Sequence, residues 1–360
     1  MKNNKIKIVH IIPTLSFGGA ERFVIDLINN SDDSKFEHSI IILKKTDGLA
    51  SELKNSCPII LVQKKGKISL SLFGKIKKEL KNIKPDIVHT HLFGANFWGR
   101  VSAHSLSIPV VTTEHGINLD ESWFRSFLLR LLKNYTSIYI SPSQAMADYM
   151  RRVYKIKKEI KILPHGIEID KFKKVSKLEK TEKMKLLILG RLDLTKGQDI
   201  ALKALVKLKN YNWQLEIVGD GNDKEKIEKL VVELDLQEKV SLLPATRDVV
   251  GALERNQIVL IPSRLEAFGL TVVEAMSSGR IVISSSAGGL PEVIKDGKTG
   301  FLFKVGDIDD LAEKIRFVFE NFDKIIPMVE KGKELAQKDF SIERMVGEYE
   351  DVYQNLKSLS

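Results

Sequence analysis

Short apolar runs alternate with stretches of helical periodicity along most of the chain, and no other feature restricts its fold as strongly. Apolar runs fall at residues 5–12, 39–43, 59–62, 87–91, 110–113, 138–141 and 160–163, most of them separated by helical patterns such as 20–29, 70–83, 94–105 and 144–153. Strands that run in the same direction need a long crossover between them, so the alternation predicts a parallel sheet wrapped by helices. A second series repeats the pattern, with strands expected at 186–189, 214–218, 240–243, 258–261 and 281–284 and helices at 198–209, 223–234 and 270–278. Between the series stand Pro164, Gly166 and a charged tract at 171–185, the composition of a linker. The expected fold class is α/β, with two doubly wound parallel-sheet domains, 1–165 and 166–340, facing a central cleft.

A chain of 360 residues is long enough for two such cores, and 43% hydrophobic with 29% charged residues is a globular composition. The single cysteine, Cys57, cannot close an intramolecular disulfide, and no apolar window approaches the length of a membrane span. A cytoplasmic address is the expectation. Residues 1–175 carry 29 Lys+Arg against 16 Asp+Glu, a net of +13, whereas the remainder has 28 against 31, a net of −3. The basic half calls for an acidic partner. Nucleic acid is set aside because no binding motif or interleaved aromatic pattern accompanies the charge. An anionic membrane surface or a lipid-phosphate acceptor fits better.

Residues with chemical content gather where strands give way to helices. The stretch 264–279, RLEAFGLTVVEAMSSG, follows the apolar run at 258–261 and holds Glu266 and Glu274 with seven residues between them. Strand, loop and helix in this order place the loop at the carboxyl edge of a sheet, where ligands bind in open α/β folds. Gly269 lets backbone approach a ligand closely, the new helix offers free N–H groups from Leu270 onward, and two carboxylates can accept hydrogen bonds from vicinal hydroxyls. Such a site suits a phosphorylated sugar. The segment 190–197, GRLDLTKG, opens another helix and brings Arg191 and Lys196 to a second phosphate-receiving edge. Gly18 and Gly19 end the loop after the first strand, and His115 ends the strand at 110–113 beside Gly116. His89 and His91 share one face of a strand end, but neither a carboxylate nor a cysteine stands beside them in the sequence to complete a metal site.

In combination these stretches resemble the retaining glycosyltransferases of family four, also called glycosyl transferases group 1, which have the two-Rossmann-domain GT-B architecture and a Glu-x7-Glu motif. The match extends to the opening Gly18-Gly19-Ala20-Glu21-Arg22 and to the hinge-like 163–168 (LPHGIE), where His165 replaces the usual asparagine. It also takes in the segments 287–294 (AGGLPEVI) and 296–301 (DGKTGF), with Glu292 a structural residue. The resemblance implies that Arg191 and Lys196 neutralise the leaving diphosphate of a nucleotide-sugar donor. By the same token Glu274 would hold the ribose hydroxyls, Glu266 the sugar hydroxyls, the Phe268, Gly269 and Leu270 backbone the phosphate and sugar, and His115 the transferred sugar. The helix expected at 342–356, within the segment 341–360, would cross back onto the first domain. A uridine diphosphate sugar is the expected donor, a saccharide or lipid-linked saccharide the expected acceptor, and no metal cofactor is expected. Two other classes suit the same architecture: a sugar-nucleotide epimerase or hydrolase, and a non-catalytic subunit that binds a sugar nucleotide.

Residues 121–135, ESWFRSFLLRLLKNY, form an amphipathic pattern directly after the His115 segment. On a helical projection the aromatic and leucine residues cover one half and Arg125, Arg130 and Lys133 the other. That face could pack on the sheet or lie on an anionic membrane, assisted by the lysine-rich segment 64–84.

Overall fold

Strand β1 (Ile6–Ile12) is buried along its last five residues, with no alternation of buried and exposed positions. That is the signature of a parallel strand covered by helices on both faces. The computed structural model describes residues 5–16, 18–44, 48–54, 57–63, 71–116 and 123–359. They divide into two units, 1–166 with 342–360, and 167–341.

In unit 1, β1 is followed by α1 (Gly19–Asn30), β2 (Phe36–Ile42), β3 (Ile59–Leu61), α2 (Ser71–Ile83), β4 (Ile87–His91) and α3 (Leu92–His104). Next come β5 (Val110–Thr113), α4 (Trp123–Leu131), β6 (Ile138–Ser141), α5 (Gln144–Tyr154) and β7 (Ile160–Ile162). The sheet order is β3-β2-β1-β4-β5-β6-β7, every pair parallel. Val9, Ile11 and Ile41 pack under α2 and α3 through Leu72, Ile76 and Ala95. Ile8, Ile12 and Ile40 face the other way, against Phe23 and Val24 of α1.

Unit 2 comprises α6 (Ile169–Phe172), β8 (Met184–Leu189), α7 (Gln198–Val206), β9 (Trp213–Val218), α8 (Lys224–Glu233), β10 (Val240–Leu243) and α9 (Val249–Arg255). It continues with β11 (Ile258–Ile261), α10 (Leu270–Ser277), β12 (Ile281–Ser285), α11 (Leu290–Val293), β13 (Phe301–Phe303), α12 (Ile308–Glu320) and α13 (Phe322–Asp339). The order β10-β9-β8-β11-β12-β13 is again parallel. In each sheet the order reverses beside the first strand, at β1/β4 and at β8/β11. This reversal splits the connections to opposite faces and opens a crevice at the carboxyl ends.

The chain ends in α14 (Ile342–Ser358), which belongs to unit 1. Ile342, Met345, Val346, Tyr349, Val352, Tyr353 and Leu356 form its buried stripe at helical spacing and join the core that holds α1. Polar ties fix its register: Glu350 accepts from Ser31 Oγ at 2.8 Å and from the Asp32 N–H at 2.7 Å, and Lys357 pairs with Asp86 at 2.6 Å.

Several elements differ from the sequence reading. The tract 171–185 is not all linker, since α6 reaches into its start and β8 begins at Met184. Strand β13 has three residues, too few for a periodicity. The helix expected at 121–135 is a regular helix only over Trp123–Leu131, with a 3-10 turn at Lys133–Tyr135. Residues 121–122, and residues 64–70 of the lysine-rich segment, lie outside the described residues. Among the described residues no helix is long and apolar enough to cross a membrane.

Candidate functional site

In unit 2 the carboxyl ends of the neighbouring strands β8 and β11 carry the two loops singled out above. The ammonium of Lys196 donates to Glu266 Oε2 at 2.6 Å, with both side chains partly shielded. Ser263 Oγ reaches the same carboxylate oxygen at 3.5 Å. Backbone locks the loops to one another: the Arg264 N–H donates to the Thr195 carbonyl at 2.7 Å, and a Cβ on Gly197 would lie 2.0 Å from the Pro262 carbonyl oxygen. Arg264 adds a fork, donating through both terminal nitrogens to the two oxygens of Asp199 at 2.7 Å each. Burial would raise the Asp199 carboxyl, but Arg264 outweighs it and holds the group below its ordinary value.

Arg191 lies in the same loop as Lys196, with its side chain 74% exposed and paired to Asp193 at 3.1 Å. An exposed pair of this kind holds together by about 0–1 kcal/mol, so the guanidinium turns readily to a stronger anion. Gly269 caps α10 at φ +104°, and a Cβ there would meet Leu290 at 2.6 Å. The left-handed backbone and the Leu290 side chain packed against it leave room only for glycine at the entry to the helix. The Phe268 ring is buried edge-on against Phe340, at 5.6 Å between centroids. Leu270 and Glu274 follow on the first and second turns of α10, both partly buried. The Gly289 N–H holds the Glu266 carbonyl at 3.0 Å, so the 287–294 segment braces the loop from behind.

Unit 1 carries the other residues. Gly18 is the N-cap of α1 and Gly19 its first residue, both exposed, while Glu21 turns back to accept from Thr14 Oγ1 at 3.1 Å and Ser16 Oγ at 3.3 Å. His115 stands two residues beyond β5, with Nε2 3.0 Å from His91 Nδ1 and its ring stacked on His165 at 5.3 Å and 6°. Burial and neighbouring imidazoles push its pKa well below the ordinary histidine value. His165, at the position of the usual asparagine, also packs on Phe23 at 4.9 Å. Its ring fills space in the core of this unit.

The fold thus joins Lys196 to Glu266 directly, places Arg191, Phe268, Gly269, Leu270 and Glu274 on the same two loops and their helix, and puts Gly18, Gly19 and His115 on the other unit. Two features escaped the sequence reading. The Arg264–Asp199 fork joins residues 65 positions apart, and spacing alone gives no sign of it. His89 and His91 do gain a third partner, His10 from β1, with ligand atoms within 4.8 Å of one another. All six of these nitrogens are engaged in hydrogen bonds, to each other or to His38, His115, Tyr353 and Thr113. A metal there would have to break that network. The signal available in the sequence was His10 itself, a polar residue inside an otherwise apolar strand.

Two family models together cover the chain from 17 to 335: Glycosyltransferase Family 4 over residues 17–171 and Glycosyl transferases group 1 over 169–335. The chain belongs to the family-four, group 1 glycosyltransferases. The sulfoquinovosyl transferase SQD2 of Arabidopsis thaliana is 28% identical over 272 residues, 69% of this chain and 52% of that protein, so the chain spans about half of this relative's length. The UDP-Gal:alpha-D-GlcNAc-diphosphoundecaprenol alpha-1,3-galactosyltransferase of Escherichia coli is 25% identical over 388 residues, 98% of this chain and 97% of that one. Among solved structures, Anabaena Alr3699/HepE in complex with UDP and glucose superposes with a TM-score of 0.84 at 21% identity, covering 97% of this chain and 99% of that one. At that identity the likeness is one of fold, GT-B with two Rossmann-like units.

Proposed function

We propose that this chain is a retaining glycosyltransferase that moves a sugar from a uridine diphosphate sugar to a saccharide or lipid-linked saccharide, in the synthesis of cell-surface polysaccharide or glycolipid. The observation that carries the reading is the 2.6 Å contact between Lys196 and Glu266, which puts a cation for phosphate beside a carboxylate for sugar hydroxyls. In this reading Arg191 and Lys196 take the charge that grows on the diphosphate as the bond from the sugar's anomeric carbon breaks. The N–H groups opening α10 receive phosphate oxygens, and Glu274 takes the ribose hydroxyls. The departing oxygen keeps the electron pair, the acceptor hydroxyl attacks from the same face, and its proton passes to the phosphate. Charge neutralisation falls to the two cations, with no metal required. Gly18 and Gly19 are assigned to donor binding and His115 to the transferred sugar. The uridine donor and lipid-linked acceptor draw support from the relatives, one of which, the Escherichia coli galactosyltransferase, is named for UDP-Gal and a diphosphoundecaprenol acceptor.

A membrane contact belongs to the same proposal and rests on α4. Its inward residues are Ser126 and Leu129, whereas Trp123, Phe124, Phe127 and Leu131 are 78%, 48%, 45% and 60% exposed. An aromatic face turned to solvent on a basic unit suits the headgroup level of an anionic bilayer at the inner face of the cell membrane. Purified protein given UDP-sugars with and without an acceptor extract tests the central claim. Release of UDP only with acceptor supports transfer. Release without acceptor makes it a hydrolase, interconversion of donor sugars an epimerase, and binding without turnover a partner subunit.

A further inference from the structure

All seven histidines of the chain fall in unit 1. Four of them stand in a row through its core. His38 Nδ1 lies 3.0 Å from His10 Nε2, His10 Nδ1 lies 3.2 Å from His91 Nε2, and His91 Nδ1 lies 3.0 Å from His115 Nε2. The row crosses β2, β1 and β4 and ends beyond β5, made possible by strand register: His10 is aligned with His89, and His91 with Thr113. Every link joins an Nδ1 to the next ring's Nε2. Burial pushes His38 down to about 4 and holds His10, His91 and His115 well below their ordinary value, so the rings are neutral near pH 7.

A neutral imidazole has one N–H and one bare nitrogen. In a head-to-tail row, each hydrogen bond then dictates the next: either all four rings carry the proton on Nδ1, or all four carry it on Nε2. The two nitrogens left over are His38 Nε2 at one end and His115 Nδ1 at the other. Both are shielded from solvent, and neither has a hydrogen-bond partner among the described residues. In either arrangement one end is a donor and the other an acceptor. A buried polar atom without a partner is costly, which gives a ligand at the His115 end something to satisfy.

We propose that this row is a tautomer relay, in which His38, His10 and His91 are positioning residues that fix whether His115 Nδ1 offers a proton or a lone pair to a hydroxyl of the bound sugar. Exchange of one arrangement for the other moves three protons across the internal hydrogen bonds and releases one at His115 Nδ1. His38 Nε2 takes one from a water molecule admitted when that shielded end opens, and the proton released neutralises the hydroxide left behind, so each ring stays neutral. His89 stands beside the row but outside it, held by Tyr353 Oη at 2.7 Å and Thr113 Oγ1 at 2.8 Å. The relay's part in transfer rests on the reading of His115 given above. Its existence does not.

Long-range proton–nitrogen correlation on the full chain labelled with 15N-histidine reads the tautomer of each ring directly. The relay requires His38, His10, His91 and His115 to share one tautomer, and any mixed assignment overturns it. Replacing the outer ring, His38→Phe, should move the His115 nitrogen shifts across two intervening rings, as should His10→Phe, while His104→Phe, off the row, should leave them in place. Unmoved His115 shifts in folded His38→Phe would also overturn the coupling. A shared tautomer in a protein that transfers no sugar would uphold the relay and remove only the role of His115.

Discussion

Lys196 and Glu266 come from loops 70 residues apart in sequence and meet at 2.6 Å. The ion pair sets the lysine's position before any phosphate arrives. It is partly exposed, at 27% and 18% for the two side chains, so its removal bears lightly on folding. Lys196→Ala and Arg191→Ala should therefore lower kcat by about 100-fold or more, the scale of losing one preorganised group from a charged transition state. Their unfolding midpoints should stay close to the parent's. Steady-state kinetics beside urea titrations separate the two effects, and wild-type turnover in both variants would remove the diphosphate role.

The two glutamates should part company when measured with the bare nucleotide. Glu274→Gln is expected to weaken UDP binding, and Glu266→Gln to leave it nearly unchanged while depressing the rate. Titration calorimetry with UDP reads the first, turnover the second. Equal losses of affinity would contradict the division of ribose from sugar.

The proposed front-face route predicts a product with the donor's anomeric configuration. A proton NMR spectrum of the new linkage decides, since the anomeric coupling differs between the two configurations. An inverted product would exclude the route and the roles built on it.

Acid should loosen unit 1 before unit 2. His38 and His165 are pushed to about 4 by burial, against an ordinary value of 6.5. An unfolded chain takes up protons below pH 6.5 that the folded unit refuses, so their contribution is complete above 6.5 and drains away as pH falls towards 4. Each such histidine gives a slope of up to about 1.4 kcal/mol per pH unit. Unit 2 holds no histidine. Denaturant series read by hydrogen exchange at pH 7 and pH 5 should show a larger loss for unit 1; equal losses would count against buried neutral rings.

Vesicles of anionic lipid should bind the protein through α4. Trp123→Ser with Phe127→Ser removes exposed aromatic surface without touching the inward Ser126 and Leu129. Arg125, whose guanidinium lies over the Phe93 ring at 5.1 Å, and Arg130, whose Nε donates to the Val153 carbonyl at 2.7 Å, are the charges of this helix to reverse. Sedimentation at low and high salt should show binding by the parent at low salt only, and little by the aromatic variant. Equal binding by parent and variant would detach the helix from any membrane role.

Strand-by-strand, the architecture was legible because short runs opening on branched apolar residues recur between helical patterns: Ile87–His91, Val110–Thr113 and Ile258–Ile261 are bounded in the fold as they were in the sequence. Glu266 and Lys196 could be read because glycines and strand ends announce loops. What joins them could not. The Arg264 fork to Asp199 depends on which strands neighbour one another, and the orientation of α4 depends on a buried Ser126 that an amphipathic projection assigns to water. The histidine row needs the register of three strands before any of its links exists.

Helix α14 lays Tyr349 and Tyr353 over the face of unit 1 that carries Ile8, Ile12 and Phe36, yet it is synthesised only after the whole of unit 2. At about 5–20 residues per second, synthesis of residues 167–341 takes on the order of ten to thirty seconds. Through that interval the earlier-made unit waits with an apolar face uncovered, while the later-made unit can close on its own sequence. Birth order and completion order are thus reversed, and a stop codon shortly before Ile342 would spare the half of the protein nearest to it and cripple the half made first.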